Sequence, residues 1–144
     1  MEIKVVCKSL EKRGFIESVA AFYARMLNIE NNKVFIEVKT VPGLVKSMGY
    51  NGGLIPLDSK NMCLLLDSRL NIEQMLITLA HEMVHAKQYA KGQLRQRVNK
   101  KGAAVYTWLG REFKTSYFDS PWELEAFKRE RVMANRVAAI LSKI

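Results

Sequence analysis

Two long segments of the chain repeat apolar residues every three or four positions, and this spacing predicts amphipathic helices. The first covers residues 10–27. Its recurring apolar residues are Phe15, Val19, Phe22, Tyr23 and Met26. The second begins after Asn71, a capping residue with Gln74 at the capping-box position, and should stop at Gly92. Its apolar stripe consists of Met75, Leu76, Leu79, Met83, Ala86 and Ala90.

Shorter segments between and after these helices have the patterns of strands. Residues 32–41 alternate apolar and polar side chains up to Pro42-Gly43, and residues 62–68 form a short apolar run. The turn signal Asn-Gly-Gly at 51–53, flanked by LVKSMGY and LIPLD, predicts a hairpin. Residues 103–117 predict a second hairpin around Leu109-Gly110.

A last helix is predicted from its start signals. Ser120 can cap it, Pro121 suits its first turn, and Glu123 takes the capping-box position. The order helix, three strands, long helix, hairpin and helix predicts an α+β fold. With 144 residues, the chain is expected to form a single domain, residues 1–144.

The apolar runs of the chain are too short for a membrane or export signal. The N-terminal residues contain no stretch of signal-peptide length, and no run reaches membrane-spanning length. The two cysteines, Cys7 and Cys63, stand in apolar surroundings, which favours reduced structural thiols. These features predict a cytoplasmic protein without a membrane segment.

The chain carries a formal net charge of +9, and part of this excess is concentrated in one run. Residues 87–111 contain seven basic residues and no acidic one. Because such an excess attracts polyanions, the run 87–111 makes nucleic acid or an acidic protein a candidate partner. Trp108 and Tyr106 lie within the run and could stack on bases.

Both histidines of the chain lie four positions apart in the stretch LAHEMVHAKQ. On a helix, His81 and His85 project from one face, about 40° apart and away from the apolar stripe. Two imidazoles at this spacing can direct ring nitrogens to one zinc ion, about 2.0–2.1 Å from each. Glu82 stands beside that position, where it can take a proton from metal-activated water and deliver it to a leaving amine. The stretch therefore predicts a zinc site that hydrolyses peptide bonds.

With HEMVH on a helix, the chain resembles the zincin metallopeptidases, and a looser likeness covers residues 33–130. The resemblance implies a minimal zincin-like domain, in which a small, mostly antiparallel sheet accompanies an N-terminal helix, the HExxH helix and a C-terminal helix. Gln88 and Lys91 stand where metzincins have glycine and histidine, and no histidine remains for the third ligand that SprT-like proteases use. The likeness to gluzincins therefore implies a carboxylate as the third ligand.

Five acidic residues after the motif are candidates for that ligand. They are Glu112, Asp119, Glu123, Glu125 and Glu130. On the last helix, Glu123 and Glu130 face the apolar arc, whereas Glu125 points away from it. The segment PWELEA is similar to the E-x-x-A helix of ImmA-like gluzincins, which implies Glu123 as the zinc ligand. Two alternatives stay open: Glu123 as a plain capping-box residue, and Glu130 as the ligand or as a hydrogen-bond partner of one.

The resemblance also implies a group that stabilises the oxyanion and a strand that holds the substrate. Tyr117, just before the last helix, is the candidate for the first role, with Tyr106 and Tyr89 as alternatives. The strand 62–68, directly before the motif helix, is the candidate edge along which a peptide would add as an extra strand.

The expected function is a zinc-dependent peptidase that acts on a protein or peptide substrate. His81, His85 and Glu123 would be the ligands and Glu82 the general base. Two other functions remain open: a basic nucleic-acid-associated protein, which could be a protease of DNA-bound proteins, and a zinc-stabilised domain without catalysis. Glu82 favours catalysis over the last of these, because a structural site has no use for a general base.

Overall fold

The computed structural model describes residues 1–113 and 120–143, which form four helices and seven strands. In chain order the elements are β1 (Glu2–Val6), α1 (Leu10–Met26), β2 (Phe35–Val41), α2 (Leu44–Met48), β3 (Gly52–Pro56), β4 (Asn61–Asp67), α3 (Ile72–Ala90), β5 (Leu94–Val98), β6 (Ala104–Trp108), β7 (Arg111–Phe113) and α4 (Pro121–Leu141). The predicted α+β class, with an N-terminal helix, a motif helix and a C-terminal helix, is confirmed.

The strands form two sheets. The larger has the order β1-β2-β4-β3, in which β1, β2 and β4 are parallel neighbours and β3 runs antiparallel to β4. Strands β5, β6 and β7 form an antiparallel meander. Parallel neighbours need a long crossover connection, which α1 supplies between β1 and β2. Counted over both sheets, the described strands form three antiparallel and two parallel pairings.

The core lies where α1 and α3 pack against the larger sheet. Strands β2 and β4 alternate buried and less buried residues, so one face of the sheet supplies the fully buried Ile36, Met62 and Leu64. From α1, the hydroxyl of the fully buried Tyr23 donates a hydrogen bond to the backbone oxygen of Leu76 in α3 at 2.9 Å. This bond satisfies a polar group inside the core and ties the two helices together.

The predicted helix signals are confirmed. Helix α1 covers residues 10–26, as its periodicity predicts. Asn71 and Gln74 form a complete capping box at the start of α3, and Gly92 adopts a φ of 68° just after its end. The predicted hairpin at Leu109-Gly110 is also confirmed as β6 and β7, and both turn residues have positive φ.

The hairpin predicted at the Asn-Gly-Gly turn is wrong in its first arm. Leu44–Met48 form the short helix α2, between Gly43 and Gly49 at φ values of 72° and 77°. Five residues are too few to establish a helical repeat of apolar positions, so the pattern resembled a strand. Strand β3 forms its hairpin with β4 instead, across residues 57–60, where the Asp58 carboxylate accepts backbone hydrogen bonds.

Two strands, β1 and β5, were not predicted. Strand β1 is only five residues long and stands at the outer edge of its sheet, with Val5 as its single buried residue. Strand β5 has the sequence LRQRV, and of its residues only Leu94 is buried. Neither segment repeats apolar residues often enough to reveal a strand, because each buries so little of its surface.

The strand predicted as the open sheet edge is in fact an interior strand. Residues 62–68 coincide with β4, which is paired with β2 on one side and β3 on the other. No peptide can add to β4, since both of its edges are occupied. The free edge on this side of the sheet belongs to β3.

The helices are amphipathic rather than uniformly apolar. The longest, α4, has 21 residues and carries several exposed basic side chains. Across the described residues, no helix combines the length and the apolar character that crossing a membrane requires.

Gly52 of β3 lies close to both β4 and α3. A Cβ at this residue would lie 2.5 Å from the backbone oxygen of Leu65 and 2.8 Å from the Thr78 methyl carbon. We expect Gly52→Ala to lower the free energy of unfolding by about 1–3 kcal/mol, because backbone must move to admit the methyl group. Gly53→Ala is the matched control, since a Cβ there meets nothing within 4 Å. Urea unfolding of both variants checks this, and equal stabilities would contradict the close approach.

Candidate metal centre

The two histidines lie between two helices. Helix α3 is buried all round over residues 78–88, because the sheet and α1 cover one side and α4 covers the other. Leu79 and Met83, in the predicted apolar stripe, are fully buried, and His81 and His85 on the other face are each only 8% exposed. The polar face predicted from the helical angles is therefore a helix–helix interface.

The first turn of α4 brings a carboxylate to this interface. Ser120 takes the N-cap position and Pro121 begins the helix, as predicted, but among the described residues the Ser120 side chain makes no capping hydrogen bond and Glu123 forms no capping box. Glu123 follows and is 2% exposed, with the fully buried Ala126 one turn later. Small side chains on the inner face allow the two helix backbones to approach closely. The ring of Phe127 covers His81 from the side, with ring centroids 4.8 Å apart.

Three ligand-type atoms converge between the helices. Nε2 of His81 and Nε2 of His85 are each 2.9 Å from Oε1 of Glu123, and the three atoms lie within 4.8 Å of one another. Two atoms bound at 2.0–2.1 Å to one tetrahedral ion would be roughly 3.3 Å apart, so each nitrogen–oxygen distance needs to lengthen only slightly. This buried group could hold a metal ion.

The outer nitrogens of both imidazoles are already engaged. Nδ1 of His81 lies 2.8 Å from Oε2 of Glu130, and Nδ1 of His85 lies 2.8 Å from Oε1 of Gln88. Both partners are acceptors, so each Nδ1 carries the proton, and a neutral ring then presents a lone pair at Nε2. Both lone pairs point at the Glu123 carboxylate. Three electron-rich atoms in one buried space require positive charge, either as a metal ion or as extra protons on the rings.

The pKa shifts reflect this demand for positive charge. Burial opposes a charge on His81 and on His85, but the hydrogen bonds to Glu123 and the surrounding carboxylates raise the pKa of both imidazoles. Burial also opposes the charge on Glu123, yet the hydrogen bonds from the two histidines lower the pKa of Glu123 to about 2. Protons and a metal ion therefore compete for the same two nitrogens.

Glu82 stands beside the cluster without joining it. It is 6% exposed and lines the same cleft as His85 and Glu123. Burial raises the pKa of Glu82, although the charges of His85 and His81 oppose this in part. The carboxylates of Glu123 and Glu130 add to the rise in pKa. An upward shift of its pKa makes a carboxylate a stronger base, which suits a group that takes a proton from water and later releases it.

Behind His85, a chain of hydrogen bonds reaches into α4. Gln88 is fully buried, and its Nε2 donates to the backbone oxygen of Trp122 at 3.0 Å and to Oε1 of Glu125 at 2.8 Å. Nζ of Lys87, which is 5% exposed, lies 2.8 Å from both carboxylate oxygens of Glu125. The prediction that Glu125 points away from the interior is therefore wrong, because the buried Lys87 and Gln88 draw its carboxylate inwards.

The sequence contained a partial signal for the hydrogen bonds behind His85. Gln88 lies within about 20° of the His81 direction on a helical projection, so it belongs to the face that carries the ligands. Lys87 and Glu125 are separated by 38 positions and gave no local signal. Their pairing also removes Lys87 from the basic surface that the run 87–111 predicted.

The remaining candidates for the third ligand lie elsewhere. Glu130 stands behind His81 at Nδ1, as the predicted partner of a ligand. Glu112 is an exposed residue of β7 and forms an ion pair with Arg97. Asp119 lies outside the described residues. Among the described carboxylates, Glu123 alone meets Nε2 of both histidines.

A cleft of about 450 Å³ opens beside the cluster. Tyr89 and Tyr106, the two alternative candidates for the oxyanion role, line it, together with Tyr50, which the sequence did not single out. The ring of Tyr106 stacks on Trp122, with centroids 5.4 Å apart. Tyr117 lies outside the described residues, so its role stays a prediction.

No protein-family model, curated protein or solved structure matches this chain. The chemistry of the centre must therefore be argued from its own residues and their geometry. The resemblance carried by HEMVH stays an expectation.

We expect Gln88→Leu to weaken zinc binding by about 10- to 100-fold. The variant leaves Nδ1 of His85 and the Trp122 backbone oxygen without the partner that holds the ring and the first turn of α4. Gln74→Leu is the control, because it removes a hydrogen bond from the same helix without touching either histidine. Competition with a chromogenic chelator measures both affinities. Equal zinc affinity in the two variants would contradict a role for Gln88 at the centre.

In metal-free protein, we expect the His81–Glu123–His85 cluster to stabilise the fold most between about pH 4.5 and 6.5. The raised imidazole pKa values give stability that is present below about 6.5 and is lost as the pH rises through the folded-state values. The lowered pKa of Glu123 gives stability that is present above about 4.5 and is lost towards pH 2.

This pH dependence can be measured by urea unfolding in the presence of a chelator, at about pH 5.5 and about pH 8.5. The comparison is between the wild type and Glu123→Gln. The difference in unfolding free energy between them should shrink at the higher pH. A difference that does not change with pH would show that the charges of the cluster do not stabilise the fold.

Proposed function

We propose that the protein is a zinc-dependent peptidase, with His81, His85 and Glu123 as ligands and Glu82 as the general base. The observation that carries the proposal is the convergence of two imidazole nitrogens and a buried carboxylate oxygen, with a second buried carboxyl group beside them in one cleft. Two nitrogens and one oxygen leave a coordination position for a reactant, as catalytic zinc sites do, whereas structural zinc sites are filled by four protein ligands.

When bound, zinc would supply Lewis acidity, which activates water at neutral pH and polarises a carbonyl group. Glu82 takes the proton of the attacking water and passes it to the leaving nitrogen of the peptide bond. Its raised pKa suits it to hold that proton between the two steps. Glu130 and Gln88 accept hydrogen bonds from the Nδ1 atoms, so the Nε2 atoms stay available as ligands and the rings stay fixed.

The free edge of β3 supports a peptide as the substrate. Gly52, Gly53 and Leu54 line the cleft together with Glu82 and His85, and none of the described strands pairs with the outer edge of β3. An extended peptide could add to this edge as a further strand, which would bring one of its peptide bonds beside the centre. Strand β3 thus takes the role that was expected of residues 62–68.

A zinc-stabilised domain without catalysis is less well supported. Such a domain would bury the Glu82 carboxyl group at an energetic cost without using it. It would also have no need of a cleft beside its metal ligands. The buried Glu82 and the cleft are both explained if the centre activates water and binds a peptide.

Binding to nucleic acid has one observation in its favour. Five residues of the basic run are exposed on or beside the β5–β7 sheet: Arg95, Arg97, Lys100, Lys101 and Arg111. The rings proposed to stack on bases, however, already face Trp122, at centroid distances of 5.4 Å for Tyr106 and 6.3 Å for Trp108. The exposed basic residues and the packing of both rings against Trp122 are equally consistent with a peptidase that has a basic surface.

We expect Glu82→Gln to retain one equivalent of zinc while losing peptide hydrolysis by at least about 100-fold, because the general base is removed and the ligands remain. His81→Ala and Glu123→Ala should lose zinc. Glu73→Gln is the control, since it changes an exposed carboxylate of the same helix and should keep both properties.

Native mass spectrometry gives the zinc content, and a quenched fluorescent peptide gives the rate. Hydrolysis that survives in Glu82→Gln would exclude Glu82 as the base. Zinc retained at full affinity in Glu123→Ala would exclude Glu123 as a ligand and leave the other assignments in place.

A further inference from the structure

A second groove adjoins the cleft at the metal centre. A space of about 390 Å³ lies between residues 55–59, at the end of β3, and the whole of β5. Tyr89, Leu94 and Gln96 line both spaces, so the two lie side by side. Glu82, His85 and Tyr89 follow one another at successive turns of α3 and form the floor. The combined groove thus leads from the centre along α3 towards β5.

Two unpaired strand edges form the walls of this groove. Strand β3 is the last strand of the larger sheet, and β5 is the first strand of the smaller one. Within residues 1–113 and 120–143, each pairs with a neighbouring strand on one side only, so each turns a row of backbone N–H and C=O groups away from its own sheet. An extended polypeptide supplies matching N–H and C=O groups, whereas the phosphate backbone of a nucleic acid has no donors to offer.

The far end of the groove is basic. Arg95 and Arg97 line it on the β5 side and are exposed. Asp58 is the acidic residue on the opposite wall, and its carboxylate accepts hydrogen bonds from the backbone N–H groups of Lys60 and Asn61. The Arg97 guanidinium also contacts Glu112, which leaves Arg95 as the less neutralised of the two. The residues that line this part of the groove therefore carry two positive charges and one negative charge, and Arg95 is the lining cation that no ion pair among the described residues neutralises.

We propose that the groove binds an extended polypeptide segment that carries acidic side chains a few residues from the scissile bond, and that Arg95 and Arg97 select for them. This inference rests on the proposed peptidase function, which it refines by naming a substrate class. From Gly52 to Pro56 a strand advances by roughly 13 Å, so the acidic side chains lie about three to five residues from the bond beside the centre.

The test compares peptides that differ only in charge. Quenched fluorescent peptides carry two glutamates, two glutamines or two lysines, placed about three to five residues to either side of a common central sequence. The zinc-loaded wild type should cleave the acidic peptide with a kcat/KM roughly three- to tenfold above that of the neutral peptide. In Arg95→Gln/Arg97→Gln this ratio should fall to about one.

The matched control is Lys100→Gln/Lys101→Gln. It removes the same charge from the turn after β5, where neither residue lines the groove. It should keep the preference for the acidic peptide. If both double variants lose the preference for the acidic peptide equally, that preference arises from the overall charge of the protein, and the groove does not select the peptide. Cleavage of all three peptides at equal rates would overturn the inference and leave the peptidase proposal intact.

Binding is measured separately in zinc-loaded Glu82→Gln, by fluorescence anisotropy of the same peptides. Preferred binding of the acidic peptide that depends on Arg95 and Arg97, without any cleavage by the wild type, would support the groove assignment and overturn the peptidase proposal. If a short DNA duplex binds in an Arg95- and Arg97-dependent manner while the acidic peptide binds no better than the neutral one, the groove selects phosphates and the inference fails.

Discussion

The rest of the structure depends on one electrostatic constraint, the meeting of three electron-rich atoms inside the interface between α3 and α4. Two imidazole nitrogens and a carboxylate oxygen approach within hydrogen-bonding distance where little water reaches them. Such a group is stable only with positive charge at its centre. The packing of the two helices supplies the enclosure, and the fully buried Ala126 lies on the inner face of α4.

The two histidines are supported in different ways. His81 is backed directly by the Glu130 carboxylate, whereas His85 is backed by the neutral amide of Gln88. The Gln88 amide also bonds the Glu125 carboxylate, whose negative charge is balanced by Lys87. The His85 ring therefore contacts a neutral amide and not a carboxylate. The amide also bonds the first turn of α4, so the same group that orients a histidine fixes the helix that carries Glu123.

Local patterns were sufficient for the parts of the fold and site that depend on a single element. The capping signals and periodicity of α3, the spacing of its histidines and the inward face of α4 all follow from neighbours in sequence. They favoured Glu123 and Glu130 as inward-facing candidates, and the resemblance of PWELEA to the E-x-x-A helix favoured Glu123 of the two. Strand order and ion pairs between distant segments could not be predicted in this way. Strand β4 became interior because β3 folds back along it, and Glu125 turned inwards because of Lys87.

The position of Glu123 on α4, apart from the motif helix, has a consequence for the lifetime of the protein. A metal ion bound to both helices would stabilise the form in which α4 packs on α3. The gain is about 2.7 kcal/mol when the free metal concentration is 100 times the dissociation constant. If α4 separated from α3, buried residues such as Met133 and Val137 would become exposed and accessible to proteases. Metal supply would then set how long the folded chain survives, independently of any reaction at the centre.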